Sequence, residues 1–434
     1  MLKLDAFLTI RFEIFAKVYL VSCFFIPLIS SIPFKLPVKL PALIIADSMI
    51  IIFFIDIILK KRFPKELSWL LTLIIFSVIG MLFNFRYGFI EGLAIALKSR
   101  VIFIFLVTLF FYLYTFSKFD IERLKSLYLF IKRVVKLNMC IIICEGVLIN
   151  SFDLMDRIHD LLGIGGYKVV SNVIFFNKIP NGLIFGPQNA SLLSIIGIII
   201  WFPWNNVRKI DLRQFLWFGA SCLAWLFTIN MTSILCVATV LVFSSIILLK
   251  QRNLFYFTFV AIILTLLISF YNIIIEKKYT REINFSSDKF VVEYIDIFIH
   301  PIIPFIENPF DALRGTGNLP QDFAQEPLLK KDTLVNELGF LVLSASYGGL
   351  LIGSVLLYYF IYFLIYIKSN LRAHYTIDDV SLRLVSVTLG IMVSGVHYST
   401  LINPGIMQLF AFSAAIAFAI ERLRWHEFLN TLRK

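Results

Sequence analysis

Residues 94–116 read AIALKSRVIFIFLVTLFFYLYTF, and residues 117–136 read SKFDIERLKSLYLFIKRVVK. The first stretch is long enough to cross a bilayer core, which takes about 20 mostly apolar residues in a helix. It runs into a basic cluster made of Lys118, Arg123, Lys125, Lys132, Arg133 and Lys136. An apolar span ending in a Lys/Arg-rich segment is the pattern of a transmembrane helix whose basic flank faces the cytoplasm.

The same alternation extends in both directions. Apolar segments occur at 12–32, 40–59, 67–85, 94–116, 130–149, 188–204, 214–229, 232–249, 254–275, 338–366, 382–400 and 405–421. The seventh and eighth are short and separated only by Asn230 and Met231, as a tight helical hairpin or a broken pair would be. The expected fold class is all-α, a polytopic integral membrane protein of about 12 transmembrane helices forming one membrane domain over 1–434. Composition agrees: 59% of the chain is hydrophobic and 16% charged, against roughly 25% charged in a soluble domain. A mean hydropathy of +0.87 leaves too few charges to coat a water-soluble surface, whereas lipid accepts an apolar one.

Basic residues then orient the chain. With the N-terminus inside, carrying Lys3, Arg11 and Lys17, the cytoplasmic side receives Lys60, Lys61, Arg62 and Lys65, the 118–136 cluster, Arg208, Lys209 and Arg213, Lys250 and Arg252, and Lys368, Arg372 and Arg383. It also receives Arg422, Arg424, Arg433 and Lys434, so both termini are expected to be cytoplasmic. The short outer loops are poor in such residues. A net charge of +12 is explained by orientation rather than by nucleic acid, which is not an expected partner. No small-residue cleavage site follows the first apolar segment, so it is expected to be a retained signal-anchor.

Two outer regions are longer than turns. Residues 150–187 are punctuated by Gly163, Gly165, Gly166, Pro180 and Pro187, and residues 276–337 form one large outer loop. Long loops in a chain otherwise built of short connections usually carry function. Within the second, Phe290–Phe305 places Glu293, Asp296 and His300 at helical spacing, as in an amphipathic helix lying on the membrane or simply closing the loop.

Several chemistries are not supported. There is no Gly-rich loop with a Lys-Ser/Thr ending, no HExxH, no paired-Cys zinc pattern and no Asp-x-Asp in a loop. No cofactor or metal is therefore expected. Cys23, Cys140, Cys144, Cys222 and Cys236 all lie in apolar runs. Cys140 and Cys144 share a helix face, where small residues at a helix contact are a simpler reading than a redox pair. Asp378 and Asp379 are cytoplasmic and read as solvated surface.

The outer basic residues are the more informative set. Arg281, Arg314, Lys330 and Lys331 lie in the large loop, against the positive-inside tendency. An anion such as a phosphate or pyrophosphate would explain them, unless they merely balance the loop's acids. Arg314 precedes Gly315 and Gly317, where backbone can approach a ligand. Asp332 and Glu337 stand before the tenth segment, placed either to cap that helix or to act as general base for a sugar hydroxyl. Arg86, Lys98 and Arg100 flank or enter the outer part of the fourth segment, where charge is costly unless it snorkels or functions. Asp47, Asp56 and Glu145 are intramembrane acids that a proton path would use, and His397 and Tyr398 stand where they could line the outer cavity.

Three stretches resemble one family. Asn181-Gly182-Leu183-Ile184-Phe185-Gly186-Pro187-Gln188-Asn189-Ala190 enters the sixth segment. Asn308 to Gly317 is similar to an "NP…G.G" turn, and Asp332, Asn336 and Glu337 lead to Tyr347-Gly348-Gly349-Leu350-Leu351. With the large outer loop, this order resembles the O-antigen polymerases (the Wzy class) and the related O-antigen ligases. The ligases usually carry a His-rich motif where this chain has Lys330-Lys331-Asp332, which favours the polymerases.

The resemblance implies a bacterial inner-membrane glycosyltransferase with a large periplasmic loop. It would transfer a glycan from undecaprenyl pyrophosphate onto a new lipid-linked repeat unit, without ATP or metal. Implied partners are the undecaprenyl-pyrophosphate-linked oligosaccharide, membrane lipid, a chain-length regulator and a flippase. Arg314, Asp332 and Glu337 would be catalytic, while Arg281, Lys330, Lys331, Arg86, Arg100 and His397 would hold pyrophosphate or glycan. Ligase, another lipid-linked glycan transferase and transporter remain the alternatives, the last permitted by the twelve segments and intramembrane acids but disfavoured by the large outer loop and the lack of duplicated halves.

Overall fold

A computed structural model describes residues 13–14, 16–21, 24, 112–113, 115–152, 180, 182, 187–204, 211–229, 233–234, 236–241, 378–397 and 404–432. All regular structure among the described residues is helical, in keeping with the all-α class. Its main elements are α1 Ile121–Phe152, α2 Pro187–Trp201, α3 Leu212–Thr228, α4 Asp379–His397 and α5 Pro404–Leu432. α1 lies against α2, α3 and α5; α2 packs on α3 and α4, and α4 on α5.

The helix boundaries follow capping chemistry more closely than hydropathy. α1 starts well before the expected Phe130, because Asp120 accepts the backbone N–H of Arg123 at 2.8 Å and satisfies a first-turn donor. Asp378 does the same for Val380 at 2.9 Å at the start of α4. α3 also begins after an aspartate, Asp211, whose side chain makes no capping bond. α5 continues past the expected end at Ile420–Glu421 to Leu432, since a helix needs backbone hydrogen bonds, not apolar side chains, to continue.

Among the described residues one helix, Gly405–Glu427, is long and apolar enough to cross a membrane. α2 has 15 residues, a length of about 22 Å at about 1.5 Å per residue, short of the ~30 Å hydrocarbon core. α1 carries Lys132, Arg133, Lys136 and Glu145 within its expected span. The expected segments 40–59, 67–85, 254–275 and 338–366 lie outside the described residues, so the count of about 12 spans is not established by these helices.

α2 is buried on every side from Ala190 to Phe202, as a helix apolar all round must be. Small residues let its neighbours approach. A Cβ at Gly197 would lie 2.7 Å from Ser221 Oγ and 3.0 Å from Met139 Sδ, where α1, α2 and α3 meet. A Cβ at Gly146 would lie 2.6 Å from the Phe227 ring, so α1 and α3 pack through this glycine. Buried hydroxyls are largely satisfied within their own helices: Ser194 donates to Ala190 O at 2.9 Å, Ser221 to Trp217 O at 2.8 Å and Thr388 to Val385 O at 2.7 Å. Among the described residues, a polar relay joins distant segments. The Tyr112 hydroxyl donates to Gln408 Oε1 at 3.1 Å, and Gln408 Nε2 donates to the Tyr19 hydroxyl at 3.2 Å. Cys140 and Cys144 are exposed rather than packed at a helix contact.

Candidate functional site

Arg86, Arg100, Arg281, Arg314, Lys330, Lys331, Asp332 and Glu337 lie outside the described residues, as do Asp47, Asp56 and the segment Phe290–Phe305. His397 is the last residue of α4. What the described residues present is the two ends of the bundle, one holding part of the Asn181–Ala190 motif and one holding a charged cluster.

At the first end Gly182 is fixed against α1. Its backbone N–H donates to Glu145 Oε2 at 2.8 Å. Its φ is 66°, in the left-handed region that glycine enters without steric cost. A Cβ there would sit 3.1 Å from Ile142 Cγ1 and 3.2 Å from Asn138 Oδ1. Glu145, a proton-path candidate by sequence, thus anchors the backbone of the motif. Pro187 then opens α2, the position where a missing N–H costs nothing.

At the opposite end the C-terminus of α2 is closed by side chains from three places. The last four carbonyls of a helix have no intrahelical partner. Here Ile198 O accepts Phe202 N at 2.9 Å, and Ile199 O accepts the Trp204 indole N–H at 2.9 Å. Trp201 O accepts Gln214 Nε2 at 3.1 Å from α3. Arg383 of α4 donates through Nη1 to Ile200 O and to Phe202 O at 2.6 Å. The guanidinium also complements the negative end of the α2 dipole.

Asp379 orients that guanidinium with two bonds, Nε to Oδ2 at 2.7 Å and Nη2 to Oδ1 at 3.2 Å. Its neighbour Asp378 pairs with Arg424 of α5 at 3.2 Å and Lys125 of α1 at 3.7 Å. The two aspartates are therefore organising residues and not merely solvated surface. The i, i+4 spacing of Asp379 and Arg383 was the sequence signal for half of this arrangement. Nearby, burial raises the Tyr128 phenol above its ordinary range; Arg383 opposes the shift, and Asp379 and Asp378 reinforce it. The phenol stays protonated.

Beside this cap lies an aromatic–basic cluster. Lys132 Nζ stands 4.0 Å from the centre of the Trp201 ring, and Lys136 Nζ stands 4.0 Å from that of Trp217. The two indoles are 6.0 Å apart. Among the described residues no group of three or more His, Cys, Asp or Glu side chains could hold a metal ion.

Comparison of the chain with family models, curated proteins and solved structures finds no match.

Proposed function

We propose that this chain is an O-antigen polymerase, a polytopic protein of the bacterial inner membrane with both termini in the cytoplasm. The observation that carries the reading is the long segment 276–337, set among apolar segments, which keeps seven basic residues, beside eleven acids, on the expected outer side and holds or borders two of the three family-like stretches. The helix ends that charge assigns to the cytoplasm lend support. The starts of α1, α3 and α4 and the ends of α2 and α5 meet through Lys125, Gln214, Asp378, Arg383 and Arg424. The Gly182 stretch is held by Glu145, nearer the other end of α1.

In the proposed reaction an acceptor hydroxyl on a new lipid-linked unit attacks the anomeric carbon of the growing chain. The bond from that carbon to the pyrophosphate oxygen breaks, and undecaprenyl pyrophosphate leaves with the electron pair. Asp332 or Glu337 takes the hydroxyl proton. Arg314, with Arg281, Lys330 and Lys331, stabilises charge developing on the leaving pyrophosphate, and Arg86, Arg100 and His397 help hold pyrophosphate or glycan. Cleavage of the sugar–pyrophosphate bond drives the transfer, so ATP is unnecessary.

Deletion of the gene in a smooth Gram-negative host tests this. Lipopolysaccharide capped by a single repeat unit is the expected result. Retention of long chains refutes it, and polymer left on the lipid carrier with none on lipid A core assigns the chain as a ligase instead.

A further inference from the structure

The aromatic–basic cluster at the cytoplasmic end has no role in that reaction. Lys132 and Lys136 are one helical turn apart on α1, so their ammonium groups repel one another. Neither forms an ion pair with a carboxylate among the described residues. Arg213 and Arg383 add positive potential at Lys132. The acid that faces the cluster, Asp379, is engaged in two bonds by Arg383. The indoles of Trp201 and Trp217 take the lysines on their faces, an arrangement worth most when water is scarce.

An apolar surface continues from this charge. On α1, Leu137 is 46% exposed beside Lys136, and exposed Cys140 and Cys144 and the 40% exposed Val147 continue the same stripe toward the far end of the helix. A ligand complementary to both parts has an anionic head and apolar tails. We infer that Lys132, Lys136, Trp201 and Trp217 form a binding site for the phosphate headgroup of an anionic phospholipid of the inner leaflet, its acyl chains lying along Leu137 and Val147 of α1. The inference rests on the membrane placement proposed above. Basic pockets between helices at the cytoplasmic face hold such headgroups, and Trp belongs to the same interfacial layer.

Native mass spectrometry of the full chain in neutral detergent, titrated separately with phosphatidylglycerol, phosphatidylcholine and inorganic phosphate, tests it. The wild type should retain phosphatidylglycerol in preference to phosphatidylcholine and should not retain inorganic phosphate. The variant K132Q/K136Q should bind phosphatidylglycerol roughly 30-fold more weakly, the expected loss for two interfacial cations, and K132R/K136R should restore it. K136Q alone, with one cation lost, should weaken binding roughly fivefold and serves if the double variant misfolds. Equal retention of the two lipids, or undiminished phosphatidylglycerol binding by K136Q, overturns the inference. Carbonate extraction of the host membranes separates the two levels. A protein released by carbonate refutes the membrane placement, whereas one that stays embedded yet shows no lipid preference refutes only the headgroup site.

Discussion

Replacing Arg383 with alanine should destabilise the protein more than any change to its acidic partner. The substitution leaves Ile200 O and Phe202 O without the donors that now satisfy them, in a place where the arginine is 7% exposed. Hydrogen bonds from charged donors contribute about 1.5–3 kcal/mol each, and breaking a buried charged network costs about 3–5 kcal/mol in total. The expected loss for Arg383→Ala is therefore about 3–5 kcal/mol. Asp379 has a side chain 40% exposed to solvent, so Asp379→Asn, which keeps an acceptor, should cost about 1 kcal/mol. Arg383→Lys keeps the charge but not the planar fork, and should fall between the two. Equilibrium unfolding in mixed micelles, followed by tryptophan fluorescence, reads these differences directly because Trp201 and Trp204 stand at the cap. Arg383→Ala within about 1 kcal/mol of wild type, or Asp379→Asn as costly as Arg383→Ala, would refute the view that the guanidinium acts by closing α2.

Gly182→Ala should lower stability by about 1–3 kcal/mol, since a non-glycine residue at φ 66° must displace Ile142 or Asn138; unchanged unfolding would place the loop elsewhere. Gly146→Ala should cost about 1–3 kcal/mol by overpacking against Phe227, and Phe227→Leu should recover part of that loss in the double variant; strict additivity would show that the two side chains do not meet.

How much of this was legible in the sequence depends on the range of the interaction concerned. The apolar runs located α2, α4 and α5, because burial on all sides or on one broad face leaves a local trace. The start of α1 was missed although Asp120 marks it, since hydropathy discounts a first turn carrying Glu122, Arg123 and Lys125. The end of α5 was missed for the same reason at Arg422 and Arg424. The closing of α2 by Arg383 joins residues 183 positions apart, and no local pattern announces such a pairing. Glu145 illustrates a further gap. Its depth in an apolar helix identified it as special, but the partner that explains it is a backbone N–H, which no side-chain motif reveals. The candidate pyrophosphate residues were selected mainly by charge sign and predicted side of the membrane. Both are properties of the sequence, whereas their convergence would be a property of the tertiary structure.

The way α2 is finished has a consequence for biosynthesis. A ribosome delivers the α2 segment, then Trp204, then Gln214, and only after a long interval Arg383. Until then the Ile200 carbonyl lacks the donor that satisfies it in the folded protein, and the nascent chain carries an incomplete helix end. Completion waits for α4, so the later half of translation matures an element made in the first half. A chain terminated before residue 383 would hold every residue of α2, with the bonds from Trp204 and Gln214, and still lack the donor to Ile200 O.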